Sequence, residues 1–135
     1  MGTPAPAPVL GVVLLAEDNL INQNVAVAML KGGGYLVDVV SDGREAVRAA
    51  LAKRYDVVLM DCQMPEMDGY QAAAAIRAAE DGGRRTPIVA LTAGAMQEDR
   101  ERCLAAGMDD YLAKPVRIAA VLAAVARWSA RPAGT

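Results

Sequence analysis

Short apolar runs alternate along this chain with segments whose apolar residues recur every three or four positions, and nearly every run stops at a polar residue. The clearest case is Val57-Val58-Leu59-Met60, which runs straight into Asp61 and then into the turn-rich stretch Gln63-Met64-Pro65-Glu66-Met67-Asp68-Gly69. A continuous apolar run bounded by turn residues predicts a parallel strand buried on both faces, because a half-exposed strand would alternate. Val9 to Ala16, Tyr35 to Val40, Pro87 to Leu91 and Asp109 to Ala113 supply four more strands. Asp38 interrupts the second of them, a charge that suits a sheet edge better than its centre.

Five helices fall between and after these runs. The first carries Ile21, Val25, Ala28 and Met29 on its expected buried stripe and stops at Gly32-Gly33-Gly34. Ser41 and Asp42 open the second, whose inward face reads Ala46, Val47, Ala50 and Leu51. Met67-Asp68-Gly69 leads into an Ala-rich third helix ending near Asp81-Gly82-Gly83; a fourth runs from beyond Gly94 to about Ala106, with Gly107 as its cap. Ile118, Val121, Leu122 and Val125 give the fifth its stripe. Strands alternating with helices imply a doubly wound (βα)5 α/β fold, a five-stranded parallel sheet with helices on both faces. Order 2-1-3-4-5 places the reversal between the first and third strands, where the carboxyl ends open a ligand crevice. Residues 9–129 form this single domain, residues 1–8 read as a Pro/Ala linker, and residues 130–135 as a tail.

Composition narrows the chemistry. The chain has 135 residues, a net charge of −2 and no run of Lys or Arg, which argues against nucleic acid or a membrane surface as a direct partner. Its two cysteines lack metal-ligand spacing, and no secretory signal or long apolar span is seen, so a reduced cytoplasmic setting is expected. Without histidine, chemistry must run on carboxylates, hydroxyls and Lys.

The predicted order gathers Glu17, Asp18 and Asp61 at the strand ends, with Thr92 and Lys114 alongside. Converging carboxylates repel, and a hard divalent cation with oxygen ligands relieves them; Mg²⁺ suits so sparse a site when phosphoryl oxygens complete it. Asp61 can then be a nucleophile that becomes an acyl phosphate, with Lys114 and the Thr92 hydroxyl on phosphoryl oxygens. Asp109 and Asp110 read as solvating groups at a strand entry, but the clustered residues, which also have plainer readings, are another matter: Asp18 or Asn19 as a helix cap, Thr92 as a helix-start hydroxyl, Lys114 as a solvated lysine. Their convergence decides for chemistry.

With these residues in hand, the chain resembles the receiver (response-regulator) domain of two-component signalling, from about Val9 to Trp128. The resemblance rests on Glu17-Asp18, Asp61-Cys62-Gln63-Met64-Pro65-Glu66-Met67-Asp68-Gly69, Thr92, and Lys114-Pro115 preceded by Tyr111. It implies a flavodoxin-like topology and phosphorylation of Asp61. It further implies Mg²⁺ held by Asp18, Asp61 and the Gln63 main-chain carbonyl, with Glu17 acting through water. A cis bond before Pro115 and a switch in which Tyr111 follows Thr92 are also implied. Asn22-Gln23, Ala90-Leu91-Thr92-Ala93 and Gly107-Met108-Asp109-Asp110-Tyr111-Leu112 look like the receivers of hybrid sensor histidine kinases. That implies a kinase phosphohistidine as donor, in cis or in trans, and a histidine-phosphotransfer protein as a possible acceptor. Contact runs partly through the first helix, where Leu20 and Val27 lie off the expected stripe. Gly94 departs from the pattern, a larger residue being commoner there.

Three other functions compete. An aspartyl-nucleophile phosphatase wants a second acid where Gln63 stands, and a flavin module wants a Gly/Ser/Thr loop where Glu17-Asp18 would repel phosphate. A degenerate receiver would not keep Asp61, Thr92 and Lys114. The expectation is a signalling module, not a turnover enzyme, with output in trans because nothing after Trp128 reads as a DNA-binding effector.

Overall fold

A computed structural model describes residues 9–80, 82–94 and 97–129. The expected Pro/Ala linker and tail, and the start of the fourth helix, lie outside them. The element order is β1 (Gly11–Ala16), α1 (Leu20–Gly32), β2 (Tyr35–Val40), α2 (Gly43–Ala52), β3 (Val57–Asp61), α3 (Gly69–Ala79), β4 (Ile88–Thr92), α4 (Gln97–Ala105), β5 (Asp110–Ala113) and α5 (Ile118–Ser129). All strand pairs are parallel, as the alternation predicts, and the order is the expected β2-β1-β3-β4-β5. Both β1 and β5 begin later than expected, at Gly11 and Asp110.

Strand side chains alternate between faces, so each buried strand feeds two cores. Leu14, Ala16, Val58, Met60, Ile88 and Ala90 join Ala46, Ala72, Ala73, Ile76 and Cys103 on the α2–α4 side. Val13, Leu15, Val57, Leu59, Val89 and Leu91 join Ala26, Leu30, Val121 and Val125 under α1 and α5. Met64 and Met67, flanking Pro65, pack against the first cluster.

Two helical faces differ from expectation. In α1 the buried residues are Ala26 and Leu30, with Val27 and Met29 half-buried against the core, while Ile21, Val25 and Ala28 point outward. Apolar residues surround this helix almost completely, so periodicity alone does not choose its inner face. Val27, expected off the stripe, is therefore a packing residue. Leu51 is likewise exposed, Ala46 being the buried anchor of α2, and Ile118 is exposed at the start of α5.

The triple glycine has a steric account in two of its members. A Cβ on Gly33 would come within 2.5 Å of Leu122 Cδ2 on α5, and Gly34 has φ +98, a left-handed conformation that suits glycine. Gly107 closes α4 as expected, with its N–H donating to the Leu104 carbonyl and that of Met108 to the Cys103 carbonyl.

Asp109 and Asp110 are not solvating groups. Asp109 pairs with Arg77 at 2.9 Å and Arg85 at 2.9 Å and accepts from the Ile88 N–H at 2.8 Å, tying α3, β4 and β5 together. Asp110 accepts from Trp128 Nε1 at 3.0 Å. Asp109→Ala would take one of two carboxylates from the largely buried Arg77 guanidinium and leave the Ile88 amide without its acceptor, so urea unfolding should show a loss of about 2 kcal/mol.

Candidate functional site

Strand ends and helix starts build the site at one edge of the sheet. β1 delivers Glu17 and Asp18, and the chain turns at once into α1 because Asn19 caps it, its Oδ1 accepting the Asn22 N–H at 3.0 Å. Asn19 being the cap leaves Asp18 free to face solvent. β3 delivers Asp61, the neighbour of β1 in the sheet. The following loop returns tightly: the Gly69 N–H donates to the Cys62 carbonyl at 3.1 Å, and a Cβ on Gly69 would overlap the Asp61 carbonyl. Asp68 and Gln71 then form a reciprocal capping box that starts α3.

Glu17, Asp18 and Asp61 bring carboxylate oxygens within 4.8 Å of one another. Glu17 is 2% exposed and Asp61 4%, whereas Asp18 is open. Lys114, at the end of β5, reaches in from the far side. Its Nζ lies 2.8 Å from Asp61 Oδ2 and 3.0 Å from Glu17 Oε1. Asp61 Oδ1 also accepts the Gln63 N–H at 3.1 Å. Burial opposes the Lys114 charge, but the hydrogen bonds it donates to Asp61 and Glu17 outweigh that and raise the ammonium's pKa above 10.5.

A cavity of about 490 Å³ opens over these groups, lined by Glu17, Asp18, Asp61, Gln63 and Lys114 with Asn22 and Pro65 at its rim. Thr92 is buried beside it and lines an adjoining cleft of about 550 Å³, its hydroxyl donating to the Gly94 carbonyl. Tyr111 stands apart on β5, half-buried, with the Arg100 guanidinium 5.1 Å from its ring centre. The Lys114-Pro115 bond is cis, as expected. Cys62, next to Asp61, is buried, and desolvation pushes its thiol up to about 12, while burial likewise raises Cys103.

Two residues beyond those expected belong to this edge. Asn22 lines the cavity, and Gln23 Nε2 donates to the Glu17 carbonyl at 2.6 Å. Their only signal in the sequence was the Asn22-Gln23 pair that shares in the likeness to hybrid-kinase receivers.

A family model for the response regulator receiver domain matches residues 13–126. The chain belongs to that family. This receiver domain is 42% identical over 120 residues to hybrid signal transduction histidine kinase B of Dictyostelium discoideum, covering 82% of this chain and 6% of that protein. It is 41% identical over 138 residues to histidine kinase 1 of Arabidopsis thaliana, covering 77% of this chain and 11% of that protein. The chain thus spans a small fraction of the curated relatives it matches. Among solved structures, the receiver domain of a Pseudomonas aeruginosa sensor histidine kinase, with magnesium coordinated in its active site cleft, shares 54% identity at a TM-score of 0.82. That alignment covers 90% of this chain and 98% of that one. A Saccharomyces cerevisiae receiver domain, crystallised with a histidine phosphotransfer signaling protein, aligns at 30% identity and TM-score 0.82, covering 91% of this chain and 90% of that one.

Lys114→Met would leave two buried carboxylates without their shared cation and should cost about 2 kcal/mol in urea unfolding at neutral pH. The folded-state pKa of Lys114 is raised, so its contribution is complete below 10.5 and is lost as pH climbs through the raised value. The gap between wild type and variant should therefore hold through mildly alkaline buffer and narrow only above 10.5.

Proposed function

We propose that this receiver domain accepts a phosphoryl group on Asp61 from the phosphohistidine of a histidine kinase, in cis or in trans, in a Mg²⁺-dependent reaction. The observation that carries this is the convergence of three carboxylates within 4.8 Å beneath an open cavity, with Lys114 Nζ 2.8 Å from Asp61. The donor set fits Mg²⁺: oxygens only, two of the acids buried, and room for waters and phosphoryl oxygens. Asp18, Asp61 and the Gln63 main-chain carbonyl would hold it, with Glu17 acting through water. When bound, the ion supplies neutralisation of phosphoryl charge and a fixed orientation for the incoming group.

Asp61 attacks phosphorus with one carboxylate oxygen, the P–N bond to the donor imidazole breaks, and its electron pair stays on that nitrogen; with a proton already on the other ring nitrogen, the donor leaves as neutral imidazole. Lys114 offsets the charge of the phosphoryl oxygens. Thr92 exchanges its bond to the Gly94 carbonyl for one to a phosphoryl oxygen, and Tyr111 follows by leaving its place beside Arg100. The outcome is a changed α4–β5–α5 face, or transfer onward to a histidine-phosphotransfer protein. Partner contact falls on Leu20, which is 68% exposed, together with the outward Ile21, 71% exposed, and Val25. Val27 drops out because it packs inward.

The domain acts as a signalling element of a cytoplasmic phosphorelay, turns over no external metabolite, and needs no nucleic acid. No helix among the described residues is long and apolar enough to cross a membrane.

Incubation with Mg²⁺ and a small acyl phosphate should add one alkali-labile phosphoryl group by intact mass, lost in Asp61→Asn or with chelator. Undiminished labelling of Asp61→Asn would sink the proposal. Leu20→Glu combined with Ile21→Glu should leave labelling by the small donor intact while lowering the rate from a protein donor at least tenfold, read by radiolabel transfer. An equal rate from both donors would remove α1 from the docking face.

A further inference from the structure

Gln23 stands behind the acidic cavity, outside the set of residues that line it. It lies on the first turn of α1, half-buried, and its Nε2 donates to two acceptors from different segments: the Glu17 carbonyl at 2.6 Å and the Ser41 hydroxyl at 3.3 Å. One amide thus ties the β1–α1 turn, α1 and the β2–α2 turn together.

The consequence lies in the backbone of the acidic pair. The Glu17 N–H donates to the Val40 carbonyl at 3.1 Å, so its other side is anchored to β2. Its carboxylate is held by Lys114 at 3.0 Å and by the Asn19 N–H at 3.3 Å. With the carbonyl clamped by Gln23 as well, the peptide plane joining Glu17 to Asp18 has little freedom left. Asp18 differs from its neighbour in being exposed, so what the fold fixes for it is the backbone from which its side chain starts. Freeing that plane would let the Asp18 Cα–Cβ bond change direction relative to Asp61.

We infer that Gln23 is a positioning residue for Asp18: by clamping the Glu17 carbonyl, it holds the third carboxylate within 4.8 Å of the other two and sets the divalent-cation affinity of the cavity. This inference rests on the Mg²⁺ reading given above. Mg²⁺ is sensitive to such positioning because it demands near-ideal octahedral geometry at short metal–oxygen distances. Gln23 does its work through hydrogen bonding, since its amide is the donor that ties the Glu17 carbonyl to α1.

The test is calorimetric titration of the metal-free domain with Mg²⁺, beside melting in chelator. Gln23→Met keeps the side-chain length and removes the donor; loss of one neutral hydrogen bond should weaken Mg²⁺ binding about fivefold, with melting in chelator little changed. Equal affinity in wild type and variant overturns the inference while leaving the metal site standing. A lower melting temperature with unaltered affinity also overturns it, because the role is then only structural. Gln23→Glu gives a second, independent arm. It adds a negative charge, which by attraction alone would tighten Mg²⁺ binding, yet it removes the donor and sets a carboxylate against a carbonyl oxygen. Weaker binding supports the positioning role, and tighter binding overturns it. An Asp18→Asn control separates the two layers of argument. If wild type takes up no Mg²⁺, or Asp18→Asn binds as well as wild type, the metal reading fails first and the inference falls with it.

Discussion

Two buried carboxylates share one ammonium. Lys114 Nζ sits between Asp61 and Glu17, joining the ends of β1, β3 and β5, groups that lie 53 and 97 residues from it along the chain. The pairing is possible only in a sheet that sets β1 beside β3 and brings β5 to the same edge, which the observed order does. The apolar strands beneath make the arrangement consequential, because charges in a poorly polarisable surround interact far more strongly than in water. One ammonium cannot balance three acids, and Asp18 is left over at the open side of the cavity. The proposed cation chemistry starts from that imbalance.

The opposite edge of the sheet shows the contrast. Asp109 is partly enclosed by structure, and the chain supplies it with two guanidinium partners and a backbone N–H. Arg77 in turn pairs with Glu80 at 2.8 Å and donates to the Gly107 and Thr86 carbonyls. Among the described residues, no group of acids at that edge is gathered as Glu17, Asp18 and Asp61 are. Acids satisfied from within act as joists, whereas acids under-supplied with cation and open to a cavity are placed for chemistry.

The sequence made much of this legible for a local reason: in a buried parallel strand the polar residue that ends the run is also the residue that ends the strand. Asp61, Thr92 and Lys114 could thus be placed by counting apolar positions, and their convergence then followed from the expected strand order. Where local pattern stops discriminating, the reading fails. Helix α1 has apolar residues around most of its circumference, so Ile21 and Val25 looked like core and Val27 like surface when the packing is the reverse. Asp109 and Asp110 looked like hydrated polar residues because their partners, Arg77, Arg85 and Trp128, come from distant segments. Gln23 drew notice only as part of a family resemblance, since no spacing rule announces a side chain whose acceptor is a main-chain carbonyl. Asp18 and Asn19 could not be told apart as caps until the Asn22 amide was seen to choose Asn19.

Both native thiols are buried, and desolvation holds Cys62 near 12 and raises Cys103 as well. Thiolate is the reactive form, so at neutral pH neither sulfur offers much nucleophile to alkylating reagents. The domain therefore accepts an added surface cysteine as a selective attachment point for a dye or spin label. Placed on the outward face of α1 or beside Tyr111, such a probe would report the motions of this small protein without first stripping out its own cysteines.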